Sequence, residues 1–399
     1  MRRSYKFKLY SNKKKAKRLR EELFIFCQIY NHSLALVKRH YKLFGKNPSK
    51  NSLQKHLQKL MKRGLRPKWK SLGFSQGIQE VTDRIYLAYQ GFFDGSKKGK
   101  QKTDGKRRAP PKFKPFRKYK SFTLKQASWK IEEDKGRIKI GKTWYRYSKS
   151  RDIQGTPKTI TIKRDRVGDW FCAISCEIKE ELIPEKIAPM TGKSAGFDFG
   201  LKSFLTSSDG MKYYSNEYLK SHLKEIRKKS KNLSKKEKGS KNRNKAKKRL
   251  SRLHRKIANK RQDAHFKLAN SLIMQYDYLF FEDLNLQGMQ KLWGRKISDY
   301  GFSDFLRILD SKAQEHKKVI GKIDRYFPSS RQCMRCGEVK EKNELKLRDR
   351  IFECSCGHRM DRDLNAAINI LWEGASSQGL DRVMPDFSQV SIVGSLRIP

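Results

Sequence analysis

The chain is short of negative charge. Its 399 residues hold 40 Asp and Glu against 94 Lys and Arg, a formal net charge of +54. Self-repulsion on that scale opposes compaction, so a polyanion must supply the counter-charge. The chain also lacks any apolar run of the roughly 18 residues needed to cross a bilayer. Its opening, MRRSYKFKLYSNKKK, lacks the apolar segment of a signal peptide. No membrane partner is therefore expected, and a cytoplasmic protein bound to nucleic acid is. Cysteine is scarce and odd in number: seven, of which Cys333, Cys336, Cys354 and Cys356 cluster while Cys27, Cys172 and Cys176 are scattered. This argues against a disulfide framework and for a metal site. No internal repeat is evident.

What is present is enough for real cores. The chain is 36% hydrophobic, and its length fits two or three domains. Residues 3–10 alternate like a strand. Ser11 or Asn12 then caps a helix to about Phe44, with Leu19, Leu23, Phe26, Tyr30, Leu34, Val37 and Tyr41 on one face. Helices over 51–62 and 75–93 complete a helical module, the last with Ile78, Val81, Ile85, Ala88, Tyr89 and Phe92 inward. Residues 96–120 are basic, with Phe113, Phe116 and Tyr119 interleaved where rings can stack on unpaired bases. Strand patterns run from 121 to about 179, with turns at Asp134-Lys135-Gly136 and Val167-Gly168-Asp169 predicting antiparallel hairpins and a small barrel. The N-terminal strand fits into it, which makes the helical module an insertion.

From Ser194 the pattern is α/β. SAGFDFGL, SFLTSS and KYYS read as a three-strand meander, and 221–262 as helix with 19 Lys and Arg against 2 Glu. YDYLFFEDLN reads as a buried strand, 302–316 as a helix, KKVIGKIDRYF as a strand and DRDLNAAINILWEG as a helix. No structure is assigned from 375 onward. A solvated face is the ordinary reading of the charged helix, but so many cations on one segment call for phosphates.

Three carboxylates stand out. Asp198 lies within an apolar strand between Gly196 and Gly200, Glu282 ends the apolar strand Phe280-Phe281-Glu282, and Asp363 opens a helix. Each also has an ordinary reading: a lysine-paired acid, a loop cap, a helix cap. Together they make sense as ligands to shared divalent metal, because buried carboxylates are costly unless paired or bound to cations. Two Mg²⁺ ions so held can position a water and stabilise the leaving oxygen of a phosphodiester. Cys333-x₂-Cys336, 17 residues, then Cys354-x-Cys356 is a zinc pattern. The second half departs from the usual C-x₂-C, which leaves His358 as an alternative fourth ligand. Arg331 is a candidate for phosphate contact.

GFDFGLKSFLTSSDG, FFEDLNLQGM and HRMDRDLNAAINI resemble the three RuvC motifs of the TnpB proteins carried by bacterial insertion sequences, and are similar to those of compact type V CRISPR effectors. SYKFKLYSNKKKAKRLREEL, IYNHSLALVKRHY and KFKPFRKYKSFTL extend the resemblance, which covers residues 1–372. It implies a multidomain α+β protein: a helical recognition module (11–107) inserted in a wedge β-barrel (1–10 and 108–190), then an RNase H-like RuvC nuclease domain (191–328 and 359–375) holding a zinc-finger insertion (329–358), and a tail (376–399). It implies a transposon-derived guide RNA, an ωRNA, and Mg²⁺-dependent cleavage of matching double-stranded DNA, with no protein oligomer required. The family's acids carry over to Asp198, Glu282 and Asp363. Asp363 is preferred because the family's acid stands two residues before an Asn, here Asn365; Asp361 remains a possible helper. A compact CRISPR effector and a nuclease-silent RNA-guided repressor are the rival readings. The order Asp, Glu, Asp disfavours a DDE transposase, and a ribosomal or RNA-packaging protein would not need the acids.

Overall fold

The structure is a computed structural model, which describes residues 2–63, 69, 75–97, 109–125, 128–178, 188–341, 343–345, 349–380 and 394–397. It divides into two compact units, Met1–Ile183 and Pro184–Pro399.

In the first unit, strand β1 (Arg2–Tyr10) buries Tyr5, Phe7 and Leu9 on one face, as alternation predicts. Helix α1 (Lys13–Phe44) begins where the Asn12 side chain accepts the Lys15 N–H at 2.8 Å. It ends at Gly45, whose φ of 66° is the left-handed conformation that closes a helix. Leu19, Leu23, Phe26, Tyr30, Leu34 and Val37 are buried; Tyr41, expected on the same face, is exposed. Helices α2 (Lys50–Lys62) and α3 (Ser75–Lys97) follow. In α3 the buried face ends near Ile85, and Ala88 is exposed.

Strands β2 (Ser121–Leu124), β3 (Trp129–Glu132), β4 (Arg137–Ile140), β5 (Thr143–Tyr147), β6 (Thr156–Arg164) and β7 (Trp170–Glu177) join β1 in one sheet, in the order β2-β6-β7-β1-β5-β4-β3. Strand β1 is thus central, pairing antiparallel with β7 over eight residues and with β5. The three helices interrupt this sheet in sequence. The sheet is curled, and among the described residues its edge strands β2 and β3 do not pair with each other. Both predicted turns are present. In the second, Asp165 accepts N–H bonds from Val167, Gly168 and Asp169 at 2.7–2.9 Å.

The second unit is built on a mixed sheet. Strands β8 (Ser194–Asp198), β9 (Leu205–Ser207) and β10 (Met211–Tyr214) form the antiparallel meander read from the sequence. Strands β11 (Tyr278–Glu282) and β12 (Val319–Ile323) add in parallel on the other side of β8. The basic segment folds as helix α4 (Tyr218–Ser221), α5 (Leu223–Ser234) and α6 (Lys241–Gln275), with the break at Gly239, whose φ is 94°. Helix α7 (Leu286–Tyr300) was not expected. Its two internal glycines hide it, but Asn285 caps it by accepting the Gly288 N–H at 3.1 Å, and it kinks at Trp293. Helix α8 (Phe302–His316) precedes β12. Strands β13 (Ile351–Glu353) and β14 (Arg359–Asp361) pair as a small ribbon ahead of helix α9 (Arg362–Ser377).

The tail corrects the sequence reading. Gly394–Arg397 forms strand β15, parallel to β10, giving the order β12-β11-β8-β9-β10-β15. A four-residue strand with a mostly exposed face has too little apolar pattern to be seen in sequence.

Aromatic packing fixes the centre of this unit. Phe197 of β8 stacks on Phe281 of β11 with ring centroids 5.0 Å apart. Phe199, Phe204, Phe302 and Phe305 close around them. On the opposite face α9 lies directly on β8. A Cβ at Gly196 would stand 2.1 Å from the Ala367 carbonyl oxygen, so the glycine is required by helix contact. At the start of the parallel strands, Asp277 and Lys318 form a buried ion pair. Asp277 also accepts the Thr191 and Gly192 N–H groups, and Lys318 donates to the Pro189 carbonyl at 2.6 Å.

Candidate active site and cysteine cluster

Asp198 and Glu282 sit at the same place on neighbouring strands. Phe197 pairs with Phe281 in the parallel register, so the next residue on each strand is an acid, at the C-terminal ends where open α/β sheets bind ligands. Helix α9 packs across these strands and brings Asp363 in its first turn. All three acids are half-buried. Burial, then the charges of Asp363 and Glu282, push the Asp198 carboxyl well above the usual carboxylate range, while Arg362 opposes the shift. Burial also raises Glu282, with Asp283 adding to it. The three acids therefore share one electrostatic site that is short of positive charge. Hard carboxylate oxygens in that state are a donor set suited to a divalent cation.

Asp361 is occupied otherwise. One oxygen accepts the Asp363 and Leu364 N–H groups at 3.1 Å, capping α9, and the other bonds Lys212 at 2.7 Å. Asp283 is held by Arg325, which also donates to its carbonyl at 3.0 Å. The two acids adjoining the trio in sequence thus have cationic partners.

The four cysteines converge. Their sulfurs lie within 4.8 Å of one another, with Cys333–Cys356 at 3.8 Å and Cys336–Cys354 at 3.5 Å. Among the described residues no other group of candidate ligands gathers this tightly; the three acids stand wider apart. Two matching turns build the cluster. The Gly337 N–H donates to Cys333, and the Gly357 N–H to Cys354, with φ of 80° and 82° at the two glycines. The His358 N–H lowers the Cys356 thiol to about 7. Soft thiolates in this arrangement suit Zn²⁺. His358 is not part of the group; its ring faces Phe352.

Sequence reading missed how the cluster is fastened. Asn365 Oδ1 accepts the Met334 N–H at 3.1 Å, and its Nδ2 donates to the Gln332 carbonyl at 2.7 Å. Asn369, one turn on, donates to the Ser329 and Gln332 carbonyls. Two buried asparagines four residues apart on an otherwise apolar helix face were the available signal. Arg331 donates to the Lys340 carbonyl at 2.8 Å, a bond across the turn that holds Cys333 and Cys336, beside the Gln332–Val339 bridge.

Of the 19 cations in 221–262, 15 are exposed. Arg243 is an exception, its guanidinium donating to the Leu233 and Lys236 carbonyls at the end of α5. In the earlier basic stretch, residues 98–108 lie outside the described residues. Tyr119 is buried and Phe116 packs edge-on against Phe24, which leaves Phe113 exposed among the three rings proposed for stacking.

Residues 173–292 match the family OrfB_IS605, described as "Probable transposase", and residues 302–370 match the Cas12f1-like TNB domain. The first segment carries Asp198 and Glu282; the second carries the cysteines and Asp363. The chain is 29% identical over 318 residues to "Putative RNA-guided DNA endonuclease" of Streptomyces pristinaespiralis, covering 77% of this chain and 74% of that protein. It is 25% identical to "Putative RNA-guided DNA endonuclease InsQ" of Escherichia coli K12, covering 78% of each. Its fold is similar to a chain of the cryo-EM structure of the Cas12f1-sgRNA-target DNA complex, at a TM-score of 0.53 and 16% identity, over 90% of this chain and 83% of that one. The chain is thus similar to the OrfB_IS605 family over its first match and to the Cas12f1-like TNB domain over its second. The likeness to the TnpB proteins read from the motifs is borne out.

Proposed function

We propose that this protein is a transposon-encoded, RNA-guided DNA endonuclease that hydrolyses guide-complementary double-stranded DNA at a single site formed by Asp198, Glu282 and Asp363. The observation that carries the reading is the clustering of three half-buried acids at adjacent parallel strand ends and a helix start, with Asp198 raised by burial and then by its neighbours' charge. The strand order, a meander extended by two parallel strands, supports an RNase H-like, RuvC-type assignment. Mg²⁺ held by these carboxylates would supply a positioned hydroxide and stabilise the leaving oxygen. Asp198 and Glu282 hold their oxygens on rigid strands. Asp363 is fixed by the cap that Asp361 makes beneath it, and Arg362 balances part of the charge. Zn²⁺ on Cys333, Cys336, Cys354 and Cys356 would be structural, since four protein ligands leave no open position.

The exposed cations of α5 and α6 are suited to RNA or DNA phosphates, the guide being an ωRNA and its complement the target. No helix of the described residues is long and apolar enough to cross a membrane, and the proposed place of action is the cytoplasm. The TNB match and the fold likeness favour one second reading, a compact type V CRISPR effector. Sequencing the RNA that co-purifies distinguishes them: transposon-end RNA supports the first, CRISPR repeats the second. The test of either is guide-dependent cutting of a matched duplex in Mg²⁺, abolished by EDTA. RNA-free protein that cuts unaided, or guide-loaded protein that never cuts, refutes both.

A further inference from the structure

Among the described residues Tyr326 is the most exposed large apolar side chain, at 86%. Single exposed rings are common and mean little. This one is held out by construction. The Asp324 carboxylate accepts the Tyr326 N–H at 2.7 Å, forming a tight turn just past β12. Arg325 is clamped to Asp283, and Phe327 packs into the core behind. These contacts fix the backbone of the turn that carries the ring. Together Asp283, Lys322, Ile323, Asp324, Arg325 and Tyr326 line a shallow depression of about 610 Å³.

The position is informative. Ile323 is the register partner of Glu282. Tyr326 follows three residues later, a backbone span of at most about 11 Å, and it lines the same depression as Asp283, the residue after Glu282. Lys322 and Arg325 are matched in number by Asp283 and Asp324, so charge alone does not make this a phosphate site. The ring is what the depression offers. A flat ring beside a phosphodiester-cutting site suits the face of an unpaired nucleobase, because paired bases are already stacked.

We infer that Tyr326 is a positioning residue: it stacks on an unpaired base of the DNA strand being cut and sets that strand's register over Asp198, Glu282 and Asp363. The inference rests on the endonuclease reading above. The test uses guide-loaded protein and duplex targets that carry 2-aminopurine at successive positions of either strand. With Asp198→Ala protein, so that DNA stays intact, one position should show fluorescence quenched by stacking, and adding Tyr326→Ala should relieve it. In otherwise wild-type protein, Tyr326→Ala should slow cutting about tenfold, with target binding unchanged, and Tyr326→Phe should restore the rate. Wild-type cutting by Tyr326→Ala, equal loss in Tyr326→Phe, or quenching that no Tyr326 substitution alters would each overturn the inference. Cutting by Asp198→Ala would instead overturn the endonuclease site itself, a separate outcome.

Discussion

The cysteine cluster and the acid cluster are assembled in opposite ways. The four cysteines come from a 24-residue segment, and each pair is placed by its own glycine turn. The three acids come from strands and a helix spread over 166 residues, and nothing local brings them together. The first site is gathered by a turn that each half can make alone. The second exists only once β8, β11 and α9 have packed, with Gly196 admitting the helix backbone. The thiol site forms one tight knot; the carboxylates remain apart and short of positive charge. A closed knot with four protein ligands suits structure, and an open, charge-deficient group suits catalysis.

The largest expected effect breaks the second half of that contrast. Asp198→Ala or Glu282→Ala should lower Mg²⁺-dependent cleavage of a guide-matched duplex by a factor on the order of 10³ or more. Target binding, measured alongside, should persist or tighten, because removing an acid from a phosphate-binding cleft removes repulsion. Loss of binding together with cutting would show that these acids support the fold rather than the chemistry.

Next in size is the cysteine cluster. Elemental analysis should find one zinc per chain, lost in Cys336→Ser together with a drop in thermal stability, since structural zinc contributes folding free energy. His358→Ala should keep its zinc. Zinc lost from His358→Ala but kept by Cys354→Ser would make the site Cys₃His. Asn365→Ala should retain metal while loosening the Cys333–Cys336 turn from α9, seen as faster amide exchange over 330–336.

These two sites were legible in sequence for different reasons. Cysteine spacing shows a local device directly. The acids were legible only as a joint pattern and through likeness to a known family; alone, each had an ordinary reading. What stayed hidden depended on packing. Helix α7 carries glycines that weaken its pattern, and β15 is too short to have one. The lack of pairing between β2 and β3 could not be read either, because hairpin signals fix neighbours but not closure. The rings at 116 and 119 read as stacking residues because nothing in their spacing says which face the core takes.

A smaller effect sharpens the electrostatic side of the comparison. Glu22 is a buried carboxylate raised to about 7 by burial, but its near neighbour is Arg18, at 3.5 Å, rather than two acids. It is thus the same kind of group without a shared cation site. Because its folded value lies above the ordinary 4.5, its contribution is fully present below pH 4.5 and is lost as pH rises through about 7. Glu22→Gln should therefore stabilise the protein at pH 8, on the order of 1–3 kcal/mol, and do little at pH 4. Chemical denaturation at the two pH values reads this. Equal effects at both would mean that the carboxyl is not held protonated.

The smallest effect separates Asp361 from Asp363, two acids in one short motif. Asp361 spends one oxygen on the N–H groups that open α9 and the other on Lys212, so its replacement removes a cap and an ion pair. Asp361→Ala should cost roughly 0.5–2 kcal/mol of stability, the range for a lost cap, and slow cutting only modestly by loosening the turn that carries Asp363. Asp361→Asn or Asp361→Ser, which can cap but not pair with Lys212, should recover most of the stability. Asp363→Ala has no cap to lose and should show the reverse: near-normal stability with cleavage abolished. If Asp361→Asn abolishes cutting as fully as Asp363→Ala does, then Asp361 also serves the chemistry, and the active site holds four acids rather than three.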